Sequence, residues 1–172
     1  VIWDLGPHDI GILNYILDSE PIKVRATGFN PFEGIYDFAC HSNCDLVYEN
    51  NLFASVTLSW LSAIKTRRMI FGGTKETVVY DHLDEDQQIK IFKQSILPSE
   101  IDASTQFEYS VGETILPLID NIEPLKKEIE EVVRCLKTNT KFVSDVDHAI
   151  KTIKVIESLQ LSLMSNSEFI DT

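Results

Sequence analysis

Apolar residues recur every three or four positions at both ends of the chain and every second position through its middle. That change of period is the first guide to its elements. Ile10, Leu13, Ile16 and Leu17 lie at helical spacing just after Gly6-Pro7. Proline is tolerated in a first helical turn, where its missing N–H costs nothing, so a helix is expected to start there. The triplet Val1-Ile2-Trp3 ahead of it is strand-like. Next, Ile22, Val24 and Ala26 alternate with Lys23, Arg25 and Thr27, which predicts a strand over 21–29. Asn30-Pro31 marks a turn within a loop over 28–34.

Further strands are expected over 36–48 and 52–61, joined as an antiparallel hairpin by Asn50-Asn51. Others follow over 65–71, 76–80 and 88–92, with the acidic turn Asp84-Glu85-Asp86 before the last. Residues 94–104 are read as loop and 107–109 as an edge strand. Leu125, Ile129, Val132, Val133 and Leu136 mark the expected buried stripe of a helix over 123–138, with Pro124 in its first turn. A last helix over 144–164 opens on Ser144-Asp145, which is capping chemistry, and carries Ala149, Ile153, Ile156, Leu159 and Leu163 on its apolar face. Helices flanking a meander of short strands make one α+β domain over 1–172, with a mostly antiparallel sheet.

Composition narrows the function. The chain has 172 residues, 44% hydrophobic and 24% charged, which suits one domain with a core of its own. A formal net charge of −12 argues against a nucleic-acid partner, because backbone binding needs clustered cations. No apolar run is long enough to span a membrane, and no charged leader precedes an apolar stretch. Three cysteines cannot form a complete disulfide framework, and free thiols fit a reducing cytoplasm. The opening on Val1 rather than Met suggests a piece of a longer protein, with a removed leader as the alternative.

The chemistry concentrates at the start. Asp4 and His8 lie four residues apart. At a helix start the positive end of the helix dipole would favour a neutral, proton-accepting imidazole, with Asp4 upstream to orient it. A capping Asp and a surface His would read the same way. His8-Asp9-Ile10-Gly11 matches the signature of metal-dependent phosphohydrolases only superficially, because too little chain precedes it to supply the other metal ligand. Phe71-Gly72-Gly73-Thr74-Lys75 lacks the framing of a phosphate loop, and no G-x-G-x-x-G occurs. On a strand, Lys65 and Arg67 would share one face. They call for an anionic ligand or an acidic neighbour in the fold. Trp60 fits a core position, an interface or a sugar-stacking platform. Tyr109 and Glu113 flank Gly112, in a site-bordering loop or a plain turn.

Taken in order, several segments carry a resemblance. They are Asp4-Leu5-Gly6-Pro7-His8-Asp9-Ile10, Tyr36-Asp37-Phe38-Ala39, Ser59-Trp60-Leu61 with Lys65-Thr66-Arg67-Arg68, Val79-Tyr80-Asp81, Tyr109-Ser110-Val111-Gly112-Glu113, and Glu123-Pro124-Leu125-Lys126-Lys127-Glu128. In this order and spacing the chain resembles the C-terminal domain of the Gfo/Idh/MocA family of NAD(P)-dependent oxidoreductases, most closely the members acting on nucleotide-linked N-acetylamino sugars. The resemblance implies an α+β fold with an open, mostly antiparallel sheet and helices packed on one face. It implies a substrate-binding and oligomerisation domain that pairs through the other face of that sheet. The N-terminal Rossmann domain, which binds NAD or NADP and carries a catalytic Lys, would lie outside this chain, leaving the fragment inactive alone.

The family's D-x-x-x-H motif falls on Asp4 and His8. His8 is then the expected acid or base for the sugar hydroxyl, Asp4 its partner, and Lys65, Arg67 and Tyr109 the expected substrate contacts. The expected partners are a sugar or nucleotide sugar and further copies of the chain, with no nucleic acid, membrane or metal, in the cytoplasm. The alternative implied by the same resemblance is a non-catalytic relative that senses sugars or serves assembly. Phe142 stands where the family commonly has Pro, and glycines are missing from the 145–151 region.

Overall fold

The computed structural model describes residues 1–32, 34–94, 96–98, 107–110, 112–119 and 122–172. The elements run α1 (Ile2–Leu17), β1 (Lys23–Phe29), β2 (His41–Val47), β3 (Phe53–Ser59), β4 (Arg68–Gly72), β5 (Thr77–Asp81), β6 (Ile89–Phe92), β7 (Ile96–Pro98), β8 (Phe107–Tyr109), β9 (Thr114–Ile115), α2 (Pro124–Thr138), α3 (Val146–Met164) and β10 (Ile170–Asp171). They form two compact units, Val1–Ala63 with Pro124–Thr172, and Ile64–Glu123.

The first unit is a four-stranded antiparallel sheet in the order β10-β1-β2-β3, with α1 and α3 on one face. Alternation decides which side chains turn inward. Val24 and Ala26 of β1, Cys44 and Leu46 of β2 and Leu58 of β3 are buried against Ile2 and Ile10 of α1 and Val155, Ile156 and Leu159 of α3. Burying such side chains is worth roughly 1.5–3 kcal/mol each, so this layer holds the unit together. The intervening positions form cross-strand ladders on the open face. Arg25 donates to Asp45 through Nε at 3.2 Å and Nη2 at 2.5 Å, and Ser55 Oγ donates to Asp45 at 2.8 Å. Thr57 Oγ1 donates to Asn43 at 2.9 Å. That face is therefore largely polar at its centre.

Two glycines let layers approach. A Cβ on Gly6 would stand 2.8 Å from Ile156 Cδ1, so glycine sets how closely α1 crosses α3. A Cβ on Gly28 would stand 2.9 Å from Ala39 Cβ and 3.1 Å from Leu163 Cδ2. Beyond the short β10, the edge of β1 is met by a side chain. The Ala26 N–H donates to Ser162 Oγ at 3.0 Å, and Ser162 in turn donates to the Glu168 carbonyl. Among the described residues, two buried polar groups have no hydrogen-bond partner within the chain: the Asn14 side-chain amide, at both its polar atoms, and the Tyr48 hydroxyl. Burial pushes Tyr48 up to about 12 and Cys44 up to about 11.

The second unit holds an antiparallel sheet in the order β4-β5-β6-β9 and a separate β7-β8 pair. Ion pairs brace it at Lys90–Asp84, 2.8 Å, and Lys93–Glu113, 2.9 Å.

The α+β class and the open antiparallel architecture are as expected, and the hairpin joins β2 to β3. Several expectations give way. The helix starts at Ile2 and runs through Pro7, which therefore sits inside it. Val1-Ile2-Trp3 is thus not a strand. Alternation over three residues is too short to decide, and the buried stripe Ile2, Gly6, Ile10, Asn14 is helical. The meander divides into two sheets and a strand pair instead of one sheet.

Lys65 and Arg67 precede β4 in irregular chain, so the shared strand face does not exist. Residues 96–98 are a strand where loop was expected, and residues 95 and 99–104 of that segment lie outside the described residues. The stripe on α2 is exposed, with Leu125 at 60% and Leu136 at 72%, and Cys135 is the buried residue of that helix. Helical period shows that a face is apolar but not that anything covers it. On α3 Ile156 and Leu159 are buried as expected, but Thr152, Val155 and Ser162 complete the buried line in place of Ala149, Ile153 and Leu163. Thr152 and Ser162 are admitted because backbone carbonyls take their hydroxyls.

Candidate functional site

Because α1 begins at Ile2, His8 sits beyond the first turn, and the helix-start dipole is not what would tune it. What the helix does supply is alignment. Residues four apart lie on one face, so Asp4 and His8 are stacked on α1 away from its buried stripe, and both are exposed. Asp4 does not turn to His8 for its hydrogen bond. Its Oδ2 accepts the indole N–H of Trp60 at 2.9 Å. Trp60 follows the last residue of β3, and its own N–H donates to the Cys40 carbonyl at 3.0 Å. The end of the sheet thus fixes the carboxylate from outside the helix.

One hollow borders this face and a second opens beside the start of α1. One, of about 450 Å³, runs between α1 and the start of α3 and is lined by His8, Gly11, Tyr15, Ser144, His148 and Thr152 among others. His148 lies close against α1 here: a Cβ on Gly11 would stand 3.5 Å from His148 Nε2, in ordinary contact. Asp145 caps α3 by accepting the His148 backbone N–H at 3.0 Å. Nothing in the sequence singled out His148, since its closeness to α1 depends on a crossing between helices distant along the chain. The second hollow, of about 690 Å³, includes Gly28, Asn30, Tyr36, Phe38, Gln160 and Met164.

Tyr36 and Phe38 of this second hollow belong to a chain of half-exposed aromatic rings. Phe32 meets Tyr36 edge-on at 6.0 Å, Tyr36 stacks on Phe38 at 5.2 Å and 28°, and Phe38 meets Trp60 edge-on at 5.8 Å and 88°. Of this row, sequence alone points to Trp60 as a platform.

The remaining site candidates belong to the second unit. Lys65 and Arg67 are exposed on the approach to β4, and the Arg67 carbonyl accepts the His82 N–H at 2.9 Å. Tyr109 ends β8, pairs with Ile96 and is 73% exposed. In the motif around it, Val111 lies outside the described residues. Among the described residues no group of three or more His, Cys, Asp or Glu gathers as a metal site, and no helix is long and apolar enough to cross a membrane.

Comparison with known proteins bears on this geometry. Residues 1–79 match the model of the GFO/IDH/MocA C-terminal domain. No curated protein matches the chain. Among solved structures, UDP-N-acetylglucosamine 3-dehydrogenase GnnA from Acidithiobacillus ferrooxidans is 18% identical with a TM-score of 0.73, over 98% of this chain and 48% of that one. Aldose-aldose oxidoreductase from Caulobacter crescentus, complexed with glycerol, is 14% identical with a TM-score of 0.74, over 99% and 47%. An oxidoreductase from Agrobacterium radiobacter in complex with NAD+, L-tartaric acid and magnesium is 15% identical with a TM-score of 0.65, over 99% and 48%. The chain spans about half the length of these proteins. Residues 1–79 are thus similar in sequence to the GFO/IDH/MocA C-terminal domain, and the chain shares the fold of these oxidoreductase structures over nearly its whole length.

Proposed function

We propose that this chain is the substrate-side domain of a nicotinamide-dependent oxidoreductase acting on a hydroxyl of a sugar, most plainly a nucleotide-linked one. The observation that carries the reading is the stacked, exposed Asp4–His8 pair, inside the segment matched by the family model and beside an open hollow. An imidazole on an exposed helix face can exchange a proton with a bound hydroxyl near neutral pH. In the oxidising direction His8 takes the hydroxyl proton as the carbinol C–H leaves as hydride, and in the reducing direction it returns that proton. Asp4, fixed by Trp60, accepts a neighbouring hydroxyl and orients the sugar.

Bound NAD or NADP supplies the hydride acceptor or donor. This chain has no G-x-G-x-x-G to hold the pyrophosphate, so its residues fit the proton side of the reaction and not the dinucleotide. Lys65, Arg67 and Tyr109 remain proposed contacts for an anionic substrate part, and a second copy of the chain on the open sheet face the proposed assembly.

The test is turnover by the protein that joins this chain to its nicotinamide-binding domain. NAD(P) reduction with a nucleotide sugar is expected, with kcat/KM falling roughly 10²–10⁴-fold in His8→Asn. Sugar binding with no turnover in either direction, unchanged by His8→Asn, would favour the non-catalytic relative instead.

A further inference from the structure

We infer that the aromatic row ending at Trp60 is the seat for the C–H face of a pyranose ring, with Asp4 taking a hydroxyl at its edge. The inference deepens the proposed function and rests on it. Rings buried in a core expose little, whereas Tyr36, Phe38 and Trp60 each leave about half their surface to solvent: 46%, 50% and 46%. They are nonetheless ordered against one another, by stacking between Tyr36 and Phe38 and an edge contact between Phe38 and Trp60.

An exposed apolar row of this kind is costly to leave in water and is a common mark of a binding surface. Its far end is not apolar. The Trp60 indole donates to Asp4 Oδ2, which fixes a carboxylate beside the ring. Aromatic surface next to a rigid acceptor is the combination that suits a sugar, which presents C–H groups on one face and hydroxyls around its rim. A purely hydrophobic partner has no use for the carboxylate. A nucleobase would stack on the same rings, and the uridine arm of the experiment below separates the two. Asp4, where the row ends, is one helical turn from His8 on α1, so a sugar held at that end has a hydroxyl near the proton-handling pair.

The experiment is saturation-transfer NMR on this chain with N-acetylglucosamine and, separately, uridine. Saturation of the protein's aromatic protons should pass to the pyranose ring protons of N-acetylglucosamine, and the sugar should shift the Trp60 indole N–H resonance. Phe38→Leu and Trp60→Leu should each weaken sugar binding by roughly 3–10-fold. Phe38→Leu leaves the Trp60–Asp4 bond in place, so it reads the platform even if Trp60→Leu fails to fold. Transfer to uridine alone, no transfer to the sugar, or sugar binding equal in wild type and both variants would overturn the inference. The last result would leave the role of His8 standing, because turnover tests that separately.

Discussion

The Trp60 indole N–H lies 2.9 Å from Asp4 Oδ2, so a residue at the end of β3 determines where a carboxylate in the first turns of α1 points. The two are 56 positions apart in sequence. Replacing Trp60 with Phe keeps an aromatic ring and removes the donor. A hydrogen bond to a charged group is worth about 1.5–3 kcal/mol when shielded and less when exposed, as here. Trp60→Phe is therefore expected to cost about 1 kcal/mol, read as a lowered urea midpoint with an unchanged slope. In an Asp4→Asn background the same change should cost less, which a double-mutant cycle measures.

Tyr48→Phe should stabilise the chain. The hydroxyl is buried without a partner, and removing it relieves a desolvation penalty of about 1 kcal/mol or more. Asn14→Leu follows the same logic on α1, where the amide is unpartnered on both atoms. Chemical denaturation should show higher midpoints for both. A loss of stability would mean that polar partners exist for these groups.

Gly28→Ala should destabilise by about 1–3 kcal/mol, the usual range for forcing an extra methyl into packed surroundings. The methyl would meet Ala39 Cβ, which cannot move without its backbone, and Leu163. Thermal melting of the single variant and of Gly28→Ala with Leu163→Ala should show only slight relief, because the contact with Ala39 remains.

Asp45 makes stability depend on acid. Burial works to raise its pKa, but the hydrogen bonds from Arg25 and Ser55 and the Arg25 charge outweigh it and hold the carboxyl below its ordinary value. A group lowered in the folded state stabilises fully above its unfolded pKa of about 3.9 and loses that contribution as pH falls through the lowered folded value. Arg25 is 42% exposed, so solvent screening limits the effect to about 0.5–1 kcal/mol. Wild type should exceed Asp45→Asn in stability by that amount at pH 6, with the gap closing below pH 4.

Much of this architecture was open to a reading of period and punctuation. Val24 and Ala26 alternating with Lys23 and Arg25 fixed both the strand and its inward face, because a sheet covered on one side leaves little choice. Asp4 and His8 were visible because a four-residue spacing has one meaning on a helix. Pro7 misled, since sequence rules place proline at a helix start and cannot see the packing that keeps α1 intact around it. The stripe on α2 was legible as apolar but not as uncovered. Trp60 could not be joined to Asp4, nor His148 to Gly11, from sequence, because both meetings depend on how distant elements cross.

Asn50 and Asn51 both adopt left-handed backbone, with φ of 58° and 60°, and close the turn between β2 and β3 through the Leu52 N–H and Glu49 carbonyl at 3.2 Å. Their placement acts as a parity lock. Side chains alternate strictly and β2 is held in register by β1, so one residue added to this turn without a bulge would bring Ser55 and Thr57 of β3 to the interior and carry Ala54, Val56 and Leu58 into water. Length changes at this tip should therefore be accepted in twos, and the orientation of Trp60, seven residues beyond the start of β3, is inherited from a count made at the opposite end of the strand.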